Sequence, residues 1–192
     1  TVYNAPIDGS CWNGNAEYPN YVLNVDGSGD PATVSYCAGS CDATCGGGNA
    51  QDWQLVWSDE FNDPNIDMSK WDYDVGTGDW GWGNNEEQYY TYSSNNSFIE
   101  DGKLIIKAML ENYGGANYTS ARMVTRNHGD WTYGRFVVRA KIPAGVGTWP
   151  AIWMLGSSFS SIGWPYCGEI DIMEQSGQDK SKLLGTCQWN GN

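Results

Sequence analysis

Histidine is almost missing from this 192-residue chain, whose one example is His128 in Arg126-Asn-His-Gly-Asp130. A turn-rich neighbourhood of that kind suits an exposed residue better than a catalytic base. The shortage also weighs against zinc. Cys41-x-x-x-Cys45 resembles half a metal site, but no second close cysteine pair completes four ligands, and His128 is remote in sequence. Long apolar runs are absent as well. No stretch approaches the roughly 20 residues that cross a bilayer and no charged-then-apolar leader opens the chain, so the expectation is a soluble mature form. No initiator methionine precedes Thr1, from which we expect that an upstream piece, a signal peptide or another module, has been removed. Basic residues are few. Ten Lys and Arg against 23 Asp and Glu give a net charge of −13, which repels nucleic-acid phosphates and anionic membrane surfaces and favours neutral partners. The same charge speaks, more weakly, against sulfated or carboxylated polysaccharides.

What the chain has in quantity is tryptophan and tyrosine, 11 and 12 residues against four Phe. Rings with a polar edge stack on the apolar faces of sugars while their N–H or O–H groups meet hydroxyls, although a β-rich core also uses them. The six cysteines are an even number, and Cys11, Cys37, Cys41 and Cys45 crowd the first 45 residues, a pattern that suits disulfides in an oxidising, extracellular compartment. Residues 1–50 end in Gly46-Gly-Gly48 and read as the stapled tail of an upstream module plus a linker; residues 51–192 read as the main domain.

Within that domain the apolar period is two. In Arg135-Phe-Val-Val-Arg-Ala-Lys-Ile142, Phe136, Val138, Ala140 and Ile142 share one face. Lys103-Leu-Ile-Ile-Lys-Ala108 and Ala121-Arg-Met-Val-Thr-Arg126 are further strand candidates, separated by turns such as Asn112-Tyr-Gly-Gly115. No segment offers an amphipathic helix of three turns. The expectation is an all-β, antiparallel sandwich or jelly roll, in which a curved sheet can hold an extended ligand in a concave cleft.

The densest chemistry is Glu169-Ile-Asp-Ile-Met-Glu174. Alternation puts Glu169 and Asp171 on one face of a strand. The third acid arrives one residue late, so Glu174 joins that face only if a β-bulge absorbs the extra residue. The glutamates are then about 13 Å apart at the backbone, by a rise of ~3.3 Å per residue. Side chains leaning together on a concave sheet would bring the carboxyls toward the ~5–5.5 Å of retaining glycosidases. Like charges on one face raise at least one pKa, and the protonated member is the natural general acid. A solvated acidic strand or a calcium site would use the same residues with less reason for their Trp-rich surroundings.

With these acids stand Leu55-Val-Trp-Ser-Asp-Glu-Phe-Asn62, Gly81-Trp-Gly-Asn-Asn-Glu-Glu-Gln-Tyr-Tyr-Thr91, Thr119-Ser-Ala-Arg122, Tyr133-Gly-Arg-Phe136, Gly147-Thr-Trp-Pro-Ala-Ile-Trp-Met-Leu155 and Trp164-Pro165. Together, from about Trp53 to Trp189, they resemble glycoside hydrolase family 16 and its laminarinase-like branch. The resemblance implies a β-jelly roll and double-displacement hydrolysis of internal β-1,3 or mixed β-1,3/1,4 bonds of neutral β-glucans. It casts Glu169 as nucleophile, Asp171 as its assistant and Glu174 as acid/base, with no cofactor for catalysis. It further implies sugar contacts from Asn84 and Glu86, expected on one strand face, and from Arg122, with Trp149, Trp153 and Trp164 as platforms. A structural calcium would be held by Glu60 and the Gly102 carbonyl.

Gln188, in Gly185-Thr-Cys-Gln-Trp189, stands where many laminarinase-like members have histidine. Family members also continue for several strands beyond the position of Asn192, so a missing C-terminal segment or a second chain is expected to complete the sheets. Cys167 and Cys187 are expected to form a disulfide across a hairpin: their midpoint, residue 177, falls in the turn-like stretch Gln175-Ser-Gly-Gln-Asp-Lys-Ser181. Two other functions share the fold, a non-catalytic glucan-binding protein, which would typically lose the glutamates, and an agar- or carrageenan-type galactan hydrolase.

Overall fold

The computed structural model describes residues 2–4, 20–24, 33–37, 54–132, 134–179 and 181–190, with side chains from residue 54 onward. Cys11, Cys41, Cys45 and the glycine linker at 46–48 lie outside the described residues. The chain divides into two compact units, one formed by residues 1–57 and 131–192, the other by residues 58–130.

The first unit opens with β1 (Val2–Asn4), β2 (Asn20–Asn24), β3 (Thr33–Cys37) and β4 (Gln54–Trp57). The second carries β5 (Asp72–Asp74), β6 (Gln88–Tyr90), β7 (Ser97–Glu100), β8 (Lys103–Ile106), β9 (Met109–Tyr113), β10 (Ala116–Ser120) and β11 (Arg122–Val124). The first unit then resumes with β12 (Arg135–Phe136), β13 (Ala151–Leu155), a single helical turn α1 (Phe159–Ile162), β14 (Glu169–Glu174) and β15 (Leu184–Gln188). Its sheets run β12-β1-β4, β13-β14-β15 and β2-β3; those of the second unit run β6-β10-β9, β11-β5 and β7-β8. The all-β, antiparallel expectation holds with one departure, the parallel pairing of β6 with β10. Val2–Asn4, inside the segment read from sequence as an upstream tail, pairs on both sides, with β4 and with β12.

Turn chemistry accounts for the hairpins of the second unit. β7 and β8 pair from Ser97↔Ile106 to Glu100↔Lys103, which leaves Asp101-Gly102 as the loop, with φ of 50° and 67°. Two consecutive positive φ values give the tight turn whose twist matches paired strands, and Asp-Gly adopts it at little cost. Gly114-Gly115, at 56° and 88°, joins β9 to β10 in the same way. Beside these hairpins sits a polar pin. Asn96, 1% exposed, accepts a bond from Thr91 Oγ1 (2.6 Å) and donates to the Lys107 carbonyl (3.0 Å) and Thr119 Oγ1 (2.9 Å). A buried amide with its donors and acceptor matched fixes register instead of costing stability.

Two sequence expectations fail for physical reasons. Of the strand expected over 135–142, only Arg135–Phe136 is paired; residues 138–141 are exposed, and no described strand offers them a ladder. Alternation alone does not make a strand without a partner for its N–H and C=O groups. The disulfide also fails: Cys167 and Cys187 are free thiols. The β14–β15 register sets Cys187 against Ile170, three positions beyond Cys167, or about 10 Å along a strand.

Candidate active site

β14 is the middle strand of its sheet, and its register builds the site. On one side Leu155, Trp153 and Ala151 of β13 oppose Glu169, Asp171 and Glu174; on the other side these acids face Gln188, Thr186 and Leu184 of β15. Ladder partners point to the same face of a sheet, so all nine residues share one face. The neighbouring pairs Ile152↔Met173 and Trp153↔Asp171 leave Ile172 unmatched, and the register shifts again between Asp171 and Glu174 on the β15 side. That is the expected bulge. It returns Glu174 to the face that strict alternation would have denied it. Met173, 5% exposed, and Ile170 lie among the residues that alternate with the acids.

Each carboxyl is met by neutral donors. Trp149 Nε1 donates to Glu174 Oε1 at 2.8 Å, so Trp149, just before β13, reaches the acid face that Trp153 occupies. Gln188 Nε2 donates to Asp171 Oδ2 at 3.2 Å and to Glu169 Oε1 at 3.4 Å. Trp164 adds a side-chain hydrogen bond to Glu169. Asp171 is 2% exposed, whereas Trp149 and Trp164 are both 52% exposed and free to meet a ligand. Burial, then the hydrogen bond and charge of Asp171, push the Glu169 carboxyl from 4.5 up to about 7, with Trp164 pulling the other way. Burial and the Asp171 charge likewise raise Glu174, opposed by Trp149. Glu169 thus holds its proton to near neutrality, beside a second carboxyl, Glu174, that is raised on the same strand face.

The loop between β13 and β14 is locked by close backbone contact. Gly156 N–H bonds the Gly168 carbonyl at 2.9 Å, and a Cβ on Gly156 would come within 1.9 Å of the Cys167 carbonyl oxygen, so only glycine fits. The loop contains the cis Trp164–Pro165 bond. Trp164, Pro165, Cys187, Gln188 and Trp189 line an open depression of about 410 Å³ at the Glu169 end of the strand.

In the second unit, Arg122 and Glu86 fall into one cluster that sequence reasoning did not assemble. Arg122 sits over the Trp82 ring, 4.4 Å from its centroid, and its Nε bonds Asp74 Oδ2 at 3.1 Å. Trp82 packs against Tyr90 with centroids 5.7 Å apart. Tyr90 O–H and Gln88 Nε2 both donate to Glu86 Oε2, at 2.8 and 2.6 Å. Burial first, and Glu86 second, hold the Tyr90 hydroxyl protonated above the usual tyrosine range. Asn84 does not share a strand face with Glu86. It lies in the wide turn Gly81–Asn85, exposed, while Glu86 begins the extended segment that follows. Positive φ at Trp80, Gly81, Trp82, Gly83 and Asn85 coils the segment. The available signal was Gly81-Trp-Gly83, whose glycines permit the coil.

The calcium expectation finds no support in side-chain donors. Glu60 is exposed, Gly102 occupies the β7–β8 turn, and among the described residues no three His, Cys, Asp or Glu side chains gather to hold a metal. His128 is an exposed turn residue, as expected, its N–H bonded to the Thr125 carbonyl.

Residues 81–186 match the family model of the XgeA-like, catalytic GH16 domain. The β-glucanase of Rhodothermus marinus is 53% identical over 141 residues, which cover 71% of this chain and 49% of that protein. The chain belongs to glycoside hydrolase family 16. Among solved structures, this family-16 chain resembles the laminarinase from Rhodothermus marinus with a TM-score of 0.67 at 52% identity, over 71% of this chain and 55% of that one. The catalytic domain of an endo-1,3-β-glucanase (laminarinase) from Thermotoga petrophila gives a TM-score of 0.68 at 46% identity, over 72% and 57%. The fold is therefore the all-β jelly roll of family-16 laminarinases. The chain spans about half the length of these three relatives.

Proposed function

We propose that the protein to which this family-16 chain belongs is a retaining endo-hydrolase of internal β-1,3 or mixed β-1,3/1,4 glucosidic bonds in neutral β-glucans such as laminarin. The observation that carries the reading is the bulged β14 face, on which Glu169, Asp171 and Glu174 lie in line. Glu169 attacks the anomeric carbon as a carboxylate and forms the glycosyl-enzyme ester. Glu174 gives its proton to the departing glycosidic oxygen, then takes one from the water that cleaves the ester. Trp149 engages only Oε1 of Glu174, which leaves the second oxygen to carry that proton. Asp171, tied to Glu169 through the shared Gln188 amide, orients the nucleophile. Trp149, Trp153 and Trp164 serve as sugar platforms, and the Arg122–Trp82–Glu86 cluster is a second candidate sugar contact. All three acids are present, which favours an enzyme over a binding protein of the same fold.

Secretion belongs to the same proposal, since polymeric β-glucan is met outside the cell. So does completion of the sheets by a further segment or a second chain, favoured by the exposure of Leu55 (56%) and Val56 (44%) on β4. The test is to incubate the full-length protein with laminarin, barley mixed-linkage glucan, agarose and carrageenan, following products and their anomeric configuration by NMR. Oligosaccharides of initial β configuration from the first two substrates are expected. Products from agarose or carrageenan alone, or binding without products, would overturn the assignment.

A further inference from the structure

Gln188 opposes Glu169 in the β14–β15 ladder, and its single side-chain nitrogen lies within bonding distance of both Glu169 and Asp171. An amide nitrogen carries two hydrogens, so both bonds form at once, and acceptors on both sides require the nitrogen, not the oxygen, to face the acids. The amide carries no charge and does not titrate. Of the described titratable groups in this unit, Asp171 and Glu174 flank Glu169 on its own strand. Among the described residues, neighbouring elements add Cys187 on β15 and, in the preceding loop, Cys167 and the exposed Tyr166; β13 from Ala151 to Leu155 carries none. No described cation of this unit lies on the acid face. The neutral donors to Glu169 are Trp164, which favours its charged form, and Gln188, whose amide lies 3.4 Å from Oε1.

We propose that Gln188 is a positioning residue: its amide bridges Glu169 and Asp171, holds the two carboxyl groups against each other and favours the ionised Glu169 that attacks the sugar. The proposal rests on Glu169 being the nucleophile. A hydrogen bond given to a carboxylate stabilises the charged form, so its removal moves the acid limb of the pH–rate profile upward. One 3.4 Å bond to Glu169, beside a second given to Asp171, sets about one pH unit as the upper bound of that movement, a tenfold change in the ionised fraction on the acid limb. The depression beside Gln188 keeps the amide within reach of a bound sugar, so KM is measured separately from kcat.

The experiment compares wild type, Gln188→Leu and Gln188→His in the full-length protein, reading kcat and KM on laminarin from pH 4 to 9. In parallel, an aryl 2-deoxy-2-fluoro-β-laminaribioside traps the glycosyl-enzyme for peptide mapping. Gln188→Leu is expected to shift the acid limb upward by up to about one unit, with KM within about twofold of wild type. Gln188→His keeps an N–H donor and, once protonated, adds a positive charge, so its limb is expected at or below that of wild type. Limbs unmoved in both variants, or shifted upward equally in both, would overturn the positioning role, because a structural defect has no reason to follow the sign of the donor. Trapping separates the two levels of the reading. A label on a residue other than Glu169 overturns the nucleophile assignment and this proposal together. A label on Glu169 with unmoved limbs overturns this proposal alone.

Discussion

The acid face of β14 and the Arg122 cluster both gather carboxylates, but they balance the charge differently. In the second unit Asp74 meets two guanidinium groups, Arg122 at 3.1 Å and Arg126 at 2.8 Å, so that carboxylate is fully compensated and its pair with Arg122 ties β5 to β11, while Glu86 nearby takes the neutral donors Tyr90 and Gln88. On β14 the donors are indoles and an amide. Neutral donors orient a carboxyl without fixing its charge, and Glu169 and Glu174 are both left with raised pKa values. A cation on that face would favour the charged form of both glutamates, which suits the proposed nucleophile Glu169 but would strip the proton from Glu174, the proposed general acid. Ion pairing at Asp74 holds two strands together, whereas neutral hydrogen bonding at Glu169 and Glu174 leaves carboxyls that hold their protons more readily than usual.

The largest expected effect tests the acid face directly. Glu169→Gln keeps the shape of the side chain but cannot form the ester, and kcat should fall by about 10⁴-fold or more while glucan affinity, measured by calorimetry, stays near wild type. Activity within a few-fold of wild type would remove Glu169 from the reaction. Glu174→Ala should cost about 10²–10⁴ on laminarin. Added azide should restore turnover of an activated aryl glycoside and yield a β-glycosyl azide; an α product would exchange the roles of the two glutamates. A smaller effect isolates one neutral donor. Trp149→Phe keeps a ring for the sugar but removes the N–H that lowers Glu174, so kcat should change by no more than about tenfold and the alkaline limb should extend upward. An alkaline limb that moves down would contradict the role assigned to that hydrogen bond.

For contrast, Asp74→Asn should act on stability and not on the pH profile. It leaves two arginines short of a carboxylate, at a cost of about 2 kcal/mol, which lowers Tm by about 4–8 °C in a domain of this size. Calorimetry paired with a pH–rate profile checks both halves; an altered acid limb would show that the two clusters are not separable in this way.

How much of this was legible depended on range. The β14 face could be read because alternation is local and the single misplaced acid announced the bulge. The tight turns at Asp101-Gly102 and Gly114-Gly115 follow from residue type just as directly. The coil over Trp80–Asn85 was legible only in part, through the glycines of Gly81-Trp-Gly83. It holds Trp80, Trp82 and Asn85 at positive φ, a conformation that side chains disfavour locally, and contacts distant in sequence, above all Arg122 over Trp82, accompany it. Opposing Cys167 to Cys187 needed the register of a hairpin whose strand contains a bulge, and symmetry about residue 177 misplaced it by three positions. Arg135–Ile142 shows the same limit, since alternation names a face without supplying a partner strand.

The smallest expected effect asks whether proton storage on β14 costs folding stability. Glu169 is raised from 4.5 to about 7 in the folded state, so between these values the folded protein binds more protons at this site than the unfolded chain. Its stability contribution is therefore fully present below about 4.5 and is lost as pH rises through about 7. The amide introduced by Glu169→Gln does not titrate, so the Tm of wild type relative to that variant should decline from pH 5 to pH 8. Asp67 and Asp179, lowered from 3.8 by their Ser and Lys neighbours, stay ionised across this window and do not contribute to the slope. Glu169 is half-buried, and solvent screening reduces the effect well below what its full shift would imply. The decline should amount to about 2–4 °C, what ~1 kcal/mol moves in a domain of this size. Scanning calorimetry of both proteins at matched ionic strength decides it. A Tm difference that stays constant, or grows toward pH 8, would mean that Glu169 is ionised at no cost in the folded state, and the contrast between neutral and cationic donors would lose its energetic basis.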